Sequence, residues 1–114
     1  MNPELKRTIQ SLKAASRGEG PAIWAALADE LDRPKRRRNA VNLSRINRHT
    51  ESGDLVAIPG KVLASGSLTH PVTIAAFSFS AGAREKISLA EGRAISLNDL
   101  LTERVEPSKI KILK

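Results

Sequence analysis

The sequence contains no cysteine. That excludes a disulfide framework, thiol catalysis and thiolate metal sites. Aromatic residues are scarce: Trp24, Phe77 and Phe79 are the full set. A core must therefore be built from Leu, Ile, Val and Ala, and stacking of unpaired bases on rings is a poor basis for a main binding mode. No apolar run approaches the roughly 20 residues of a membrane span. Asn2–Gln10 is polar and charged, unlike a signal peptide. The expectation is a cytoplasmic protein with no membrane partner. At 114 residues the chain has the length of one ordinary domain and can bury about two-thirds of its unfolded surface.

Acid is missing from one long stretch. Between Arg33 and Thr50 lie Arg33, Lys35, Arg36, Arg37, Arg38, Arg45 and Arg48, with no Asp or Glu. These are seven of the 19 basic residues, and the other twelve equal the 12 acidic residues in number. The net charge of +7 is thus carried by eighteen consecutive residues. A surplus gathered in this way points to a polyanionic partner.

The pattern along the chain reads as α/β: a single layered domain with a helical N-terminal third followed by alternating short strands and helices. Residues 1–53 form the helical part, with a basic loop at 33–40, and residues 54–114 the α/β part. Asn2 and Pro3 suit the start of a helix that places Leu5, Ile9 and Leu12 on one face and ends at Gly18 and Gly20. Pro21 opens a second helix with the stripe Ile23, Trp24, Leu27 and Leu31, leaving Asp29 and Glu30 on its solvated side. Pro34 forbids its continuation. Arg33–Ala40 has no apolar period and reads as a loop that orders against a partner. A third helix over about Asn42–Thr50 has Asn42 as N-cap, Gly53 at its C′ position, and Arg45 and Arg48 on a shared face.

Beyond Asp54, strands are expected at Leu55–Ile58, Lys61–Ala64 and Val72–Phe79, with turns at Pro59-Gly60 and Ser65–Pro71. Val72–Phe77 is nearly continuous apolar sequence, as in a strand covered on both faces. Ser80 caps a short helix containing Ala83, Ile87 and Leu89. Ser96-Leu97-Asn98-Asp99 begins another like a capping box. Ile110–Leu113 is a last strand.

Several constellations have an ordinary reading beside a functional one. Arg33–Arg38 is either a phosphate-binding segment or a solvated charge run or import signal. Arg45 and Arg48 on the adjoining helix favour binding. On spacing alone Gly60 and Lys61 belong to an ordinary turn. Phe77 and Phe79, two apart on a strand, share a face and suit core packing better than a base-stacking platform. Gly82-Ala83-Arg84, with Lys86, suits either an anion site at a helix start or a capped surface helix. His49 and His70 show no catalytic spacing, and no metal-ligand spacing occurs. No cofactor or small-molecule substrate is expected. A DNA-binding or chromatin protein, with the third helix as reader, remains an alternative, and a small hydrolase using His49 or His70 a distant one.

Further motifs carry a family resemblance. VNLSRINRHT at Val41–Thr50, Gly53-Asp54, PGKVL at Pro59–Leu63, Gly66, VTIAAFSFS at Val72–Ser80 and Lys86-Ile87 occur at matching intervals. Together with LKRTIQSLK and RPKRRR, they make the chain resemble the archaeal and eukaryotic L-eighteen-e family of large-subunit ribosomal proteins. That family is related in fold to the C-terminal part of bacterial ribosomal protein L-fifteen. The resemblance implies a layered α/β domain on large-subunit ribosomal RNA, beside neighbouring ribosomal proteins that include the L-fifteen relative, with no catalytic activity. It implies RNA-facing roles for Lys35–Arg38, Asn42, Arg45 and Arg48, makes Pro59, Gly60 and Lys61 a signature turn, and moves Lys61 towards function.

Overall fold

A computed structural model describes residues 3–17, 22–32, 39–103 and 107–113. Helix α1 spans Pro3–Ser16 and α2 Ala22–Leu31; strand β1, Asn39–Asn42, runs straight into α3, Leu43–His49. Strands β2 (Leu55–Leu63) and β3 (Thr73–Phe79) follow, then α4 (Ala81–Leu89), β4 (Arg93–Ser96) and α5 (Leu97–Thr102). A 3₁₀ turn at Pro107–Lys109 leads into β5, Ile110–Ile112. All pairings are parallel, in the order β1-β2-β3-β4, and β5 also pairs with β2.

The sheet is covered on both faces, as an all-parallel sheet requires. On one face Ala57, Ala75 and Ile110 pack with Leu5, Ile9 and Leu12 of α1, Trp24, Leu27 and Leu31 of α2, and Leu97 of α5. On the other, Val56, Ile58, Val62, Ile74 and Ala76 meet Leu43 and Ile46 of α3 and Ala83 and Ile87 of α4. Successive strand residues point to opposite faces, so the unbroken apolar run of β3 feeds both cores. Each fully buried Leu or Ile contributes about 1.5–3 kcal/mol. The two caps read from sequence are present: Ser80 Oγ accepts from Ala83 N at 3.2 Å and Ser96 Oγ from Asp99 N at 3.0 Å. Thr8 is buried in α1; its hydroxyl donates to Glu4 O and accepts from Asn98 Nδ2, tying α1 to α5.

Several expectations need correction. Pro59-Gly60 is not a turn, because β2 runs unbroken through it and both residues are buried. The pairing with β3 shifts by one residue between Ile58 and Lys61, so Pro59 and Gly60 together oppose Phe77. This is a bulge, where proline is tolerated inside a sheet. The other edge of β2 changes partner at the same place. Residues Leu55–Ala57 pair with β5 and Gly60–Leu63 with β1, so the missing proline N–H falls between two partner strands.

Asn39 and Ala40, expected in a loop at 33–40, belong to β1; the rest of that expectation lies outside the described residues. Strand β4 was not anticipated; Arg93–Ser96 is too short for an alternating pattern to register. Phe77 packs in the first core and Phe79 in the second, so the two do not share a face. Gly53 is not at C′ of α3, whose C-cap is Thr50 in an extended conformation. Gly53 instead turns the chain at φ +88° and donates its N–H to Pro71 O at 2.8 Å. Glu30 is buried rather than solvated, whereas Leu89 is 77% exposed. The readings on Asn2, Gly18, Gly20, Pro21 and Pro34 lie outside the described residues.

Candidate nucleic-acid interface

The acid-free stretch enters the sheet at β1, an edge strand among the described residues. Asn39 is in register with Gly60, Ala40 with Lys61 and Val41 with Val62. The bulge of β2 therefore sits beside the residue that follows Arg38 in sequence. Arg33, Lys35, Arg36, Arg37 and Arg38 themselves lie outside the described residues.

Lys61 is exposed, and its register neighbours on either strand, Ala40 and Ser78, are small. Val62 beside it faces the second core, so Lys61 projects from the opposite face. Gly60 is buried and shapes the strand through its backbone.

Asn42 ends β1 and occupies the N-cap position of α3, yet its side chain makes no capping hydrogen bond. Leu43 and Ile46 point into the core; Arg45 and Arg48 are exposed on the outside, as their spacing predicts. Neither arginine, nor Lys61, forms an ion pair or hydrogen bond with another described residue.

The start of α3 is locked from outside. Its second residue, Ser44, donates its N–H to Ser65 O at 3.0 Å. Gly66 lies directly against Ser44 in a left-handed conformation, φ +91°. From α4, Lys86 Nζ donates to Ala64 O and Gly66 O, both at 2.8 Å. Two of the three ammonium donors of Lys86 thus hold the loop that holds α3. The reading of Lys86 from sequence did not reveal this, because all its partners lie twenty or more residues away.

The far end of α3 is closed by Thr50 and His70. Thr50 Oγ1 donates to Ile46 O at 2.7 Å and lies 2.8 Å from His70 Nε2. A hydroxyl has one proton, so His70 Nε2 must be the donor to Thr50. Asn47 Oδ1 accepts from Thr69 N and Oγ1, both at 3.0 Å. His70 therefore fastens the 64–72 loop to α3, while His49 is exposed in the helix's last turn beside Arg48.

Arg84 places its guanidinium carbon 4.9 Å from the centre of the Phe79 ring, a cation–π contact. Away from this edge, Lys111 Nζ donates to Asp54 Oδ2 at 2.8 Å. This bond, with a second from Glu51 N, holds the Asp54 carboxyl below its ordinary value, and the same partner raises Lys111. Among the described residues no His, Asp and Glu side chains are grouped to hold a metal, and no helix is long and apolar enough to cross a membrane.

Asn42, Arg45 and Arg48 thus lie on or just after the edge strand β1, with Lys61 on the adjoining β2 facing the other side of the sheet, whereas Lys86 supports the loop against α3 from α4. The arrangement offers cations on a fixed backbone and no catalytic grouping. Relatives fit that character. Proteins called large ribosomal subunit protein eL18 share 45% identity in Methanothermobacter thermautotrophicus, over 99% of this chain and 93% of the relative. The protein of that name in Haloarcula marismortui is 40% identical over 99% of this chain and 97% of its own length. That of Methanococcus maripaludis is 40% identical over 98% and 93%. Residues 31–95, which include β1, α3, the bulge and α4, match the model of ribosomal proteins 50S-L15, 50S-L18e and 60S-L27A. The chain belongs to that family of ribosomal proteins, and is a structural constituent rather than an enzyme.

Proposed function

We propose that this chain is a constituent of the large ribosomal subunit that binds and stabilises folded ribosomal RNA by neutralising its phosphates. The observation that carries the reading is the pair Arg45 and Arg48: exposed, without partners among the described residues, and mounted on α3, whose start is locked by Ser65, Gly66 and Lys86; Lys61 is likewise exposed and unpaired among the described residues, on β2 between β1 and β3. Arg45 and Arg48 closely follow the densest cationic run of the chain in sequence. Guanidinium groups held in fixed positions meet phosphates with little further ordering cost. Arg33, Lys35, Arg36, Arg37 and Arg38 supply most of the neutralising charge, while Asn42, Arg45, Arg48 and Lys61 set the register. Gly60 and Lys86 contribute by shaping and holding that platform. Neighbouring ribosomal proteins, the L-fifteen relative among them, complete the setting on cytoplasmic ribosomes.

A DNA reader is less well served. Helix α3 has seven residues and is pinned at both ends by the 64–72 loop, which suits a fixed clamp better than a helix laid into a groove.

The test is a salt titration of binding to protein-free archaeal large-subunit ribosomal RNA. With about five phosphates contacted, log affinity falls against log salt with a slope of roughly −4. Replacing Arg36, Arg37 and Arg38 by Ala should weaken binding and flatten the slope while circular dichroism stays unchanged. Equal affinity for duplex DNA of the same length, or undiminished RNA binding by the triple variant, would reject the reading.

A further inference from the structure

Outside the acid-free stretch, basic and acidic residues cancel in number but not in space. From Pro3 to Arg17 there are four cations, Lys6, Arg7, Lys13 and Arg17, against one acid, Glu4. Their placement on α1 is regular. Lys6, Gln10 and Lys13 follow one another at intervals of four and three residues, and at 100° per residue they fall within about 60° of helix circumference; Arg17 follows four residues on, just past the helix end at Ser16. All four are exposed. Lys6, Gln10 and Lys13 form one flank of the helix, next to the buried face of Leu5, Ile9 and Leu12, and Arg17 continues the row from the bend after it. The helical part of the row, Lys6 to Lys13, is about 10 Å long at 1.5 Å per residue.

On the neighbouring helix, Asp29 lies on the side of α2 away from Trp24, Leu27 and Leu31. Asp32 pairs with Lys13 at 3.7 Å, but both side chains are about half exposed, and such a pair is weak in water and easily exchanged for another anion. Lys6, Ile9, Gln10, Lys13 and Asp32 line a cleft of about 230 Å³. Asp32 is also the residue immediately before Arg33. The row therefore runs beside the residue that precedes the basic run in sequence.

We infer that the row Lys6, Gln10, Lys13 and Arg17, along and just past α1, is a second seat for a phosphate backbone, contacting a stretch of RNA different from that held by the basic run. The inference rests on the proposed RNA-binding function and deepens it: the chain would bridge two RNA segments rather than hold one. The chemistry is that of a linear polyanion. Three cations in a row and an amide that can donate to phosphate oxygens match a ribose-phosphate strand, which presents charge at regular intervals.

The experiment compares four full-length proteins on protein-free archaeal large-subunit ribosomal RNA, by salt-titrated binding and hydroxyl-radical footprinting. They are the unaltered chain; Lys6→Gln with Lys13→Gln and Arg17→Gln; Arg36, Arg37 and Arg38 all changed to Ala; and Arg7→Gln, which removes one charge from α1 outside the row. The row variant should flatten the salt slope by about 2 to 3. It should lose protection over an RNA stretch that the Arg36–Arg38 variant still protects, and Arg7→Gln should leave the footprint intact. An unchanged footprint for the row variant, beside weakened binding by the Arg36–Arg38 variant, overturns the second seat alone. Loss of the same protection by Arg7→Gln also overturns it, as a diffuse charge effect. Normal RNA binding by the row variant with lost binding to purified large-subunit proteins reassigns the flank to an acidic protein and overturns it too. Absence of salt-dependent binding by the unaltered chain removes the RNA reading and this inference with it.

Discussion

Gly66 lies flat against Ser44 at the start of α3: a Cβ built on Gly66 would stand 2.9 Å from both the Cα and the backbone nitrogen of Ser44. No side chain fits there, and φ of +91° is itself unfavourable for any other residue. Gly66→Ala should therefore destabilise the fold by more than about 2 kcal/mol, combining left-handed strain with displacement of α3. Gly53 provides the comparison. It has φ +88° but nothing within 4 Å of an added Cβ, so Gly53→Ala should cost only about 1 kcal/mol. Urea unfolding of the two variants measures the difference; equal losses would show that contact with Ser44 is immaterial.

Lys86 tests whether a basic residue near the interface acts on RNA or on the protein. Lys86→Met removes the donors to Ala64 O and Gly66 O. Because the ammonium is solvent-exposed, the loss should be modest, about 1 kcal/mol. The salt slope of RNA binding should stay within error of the unaltered value, whereas Arg45→Ala with Arg48→Ala should flatten it by about 1 to 2. A slope that falls by a full unit for Lys86→Met would place its third donor on a phosphate.

The Asp54–Lys111 pair predicts a pH dependence with a definite sign. The Asp54 carboxyl titrates below its ordinary value of 3.8 because it accepts from Lys111 and from Glu51 N. A carboxyl whose folded pKa is lowered stabilises the fold above its unfolded pKa, and that contribution is lost as pH falls through the folded value. Lys111, raised from 10.5 by the same bond, contributes below its unfolded pKa and loses that contribution as pH rises through the folded one. The stability difference between the unaltered chain and Asp54→Asn should be present at pH 6 and shrink as pH falls below 3.8. Denaturant unfolding across pH 2.5–7 checks it.

Thr50 and His70 form the clasp at the other end of α3. Thr50→Val removes the hydroxyl that donates to Ile46 O and accepts from His70 Nε2. About 1–2 kcal/mol should be lost, because a buried group is left without its partner. In nitrogen-15 NMR, His70 should carry its proton on Nε2 near pH 8 in the unaltered chain, with slowed exchange that Thr50→Val abolishes. An Nδ1–H tautomer would contradict the bond direction.

Much of the fold was legible because its signals are local. A serine hydroxyl reaching an N–H three residues ahead decides the starts of α4 and α5, and Ser80 and Ser96 both do so. The stripes Leu5–Ile9–Leu12 and Trp24–Leu27–Leu31 are buried as their spacing requires. The bulge was missed for the opposite reason. Pro59-Gly60 is locally a turn signature, and the strand passes through it because β5 leaves and β1 joins there. For the interface, the spacing of Arg45 and Arg48 identified an exposed helix face. Its anchors, Ser65, Gly66 and Lys86, could not be read, since each acts across about twenty residues of chain.

The amino-acid sequence by itself determined where positive charge accumulates, which segments become helices, and that β3 would be covered on both faces. These follow from composition and from interactions within a turn or two of chain. Tertiary structure alone decided that Phe77 and Phe79 serve different cores, that Lys86 holds a loop, and that cations spaced along α1 line up beside the residue preceding the basic run. Those outcomes depend on which distant segments pair, and strand register and helix packing set that only when the chain closes on itself.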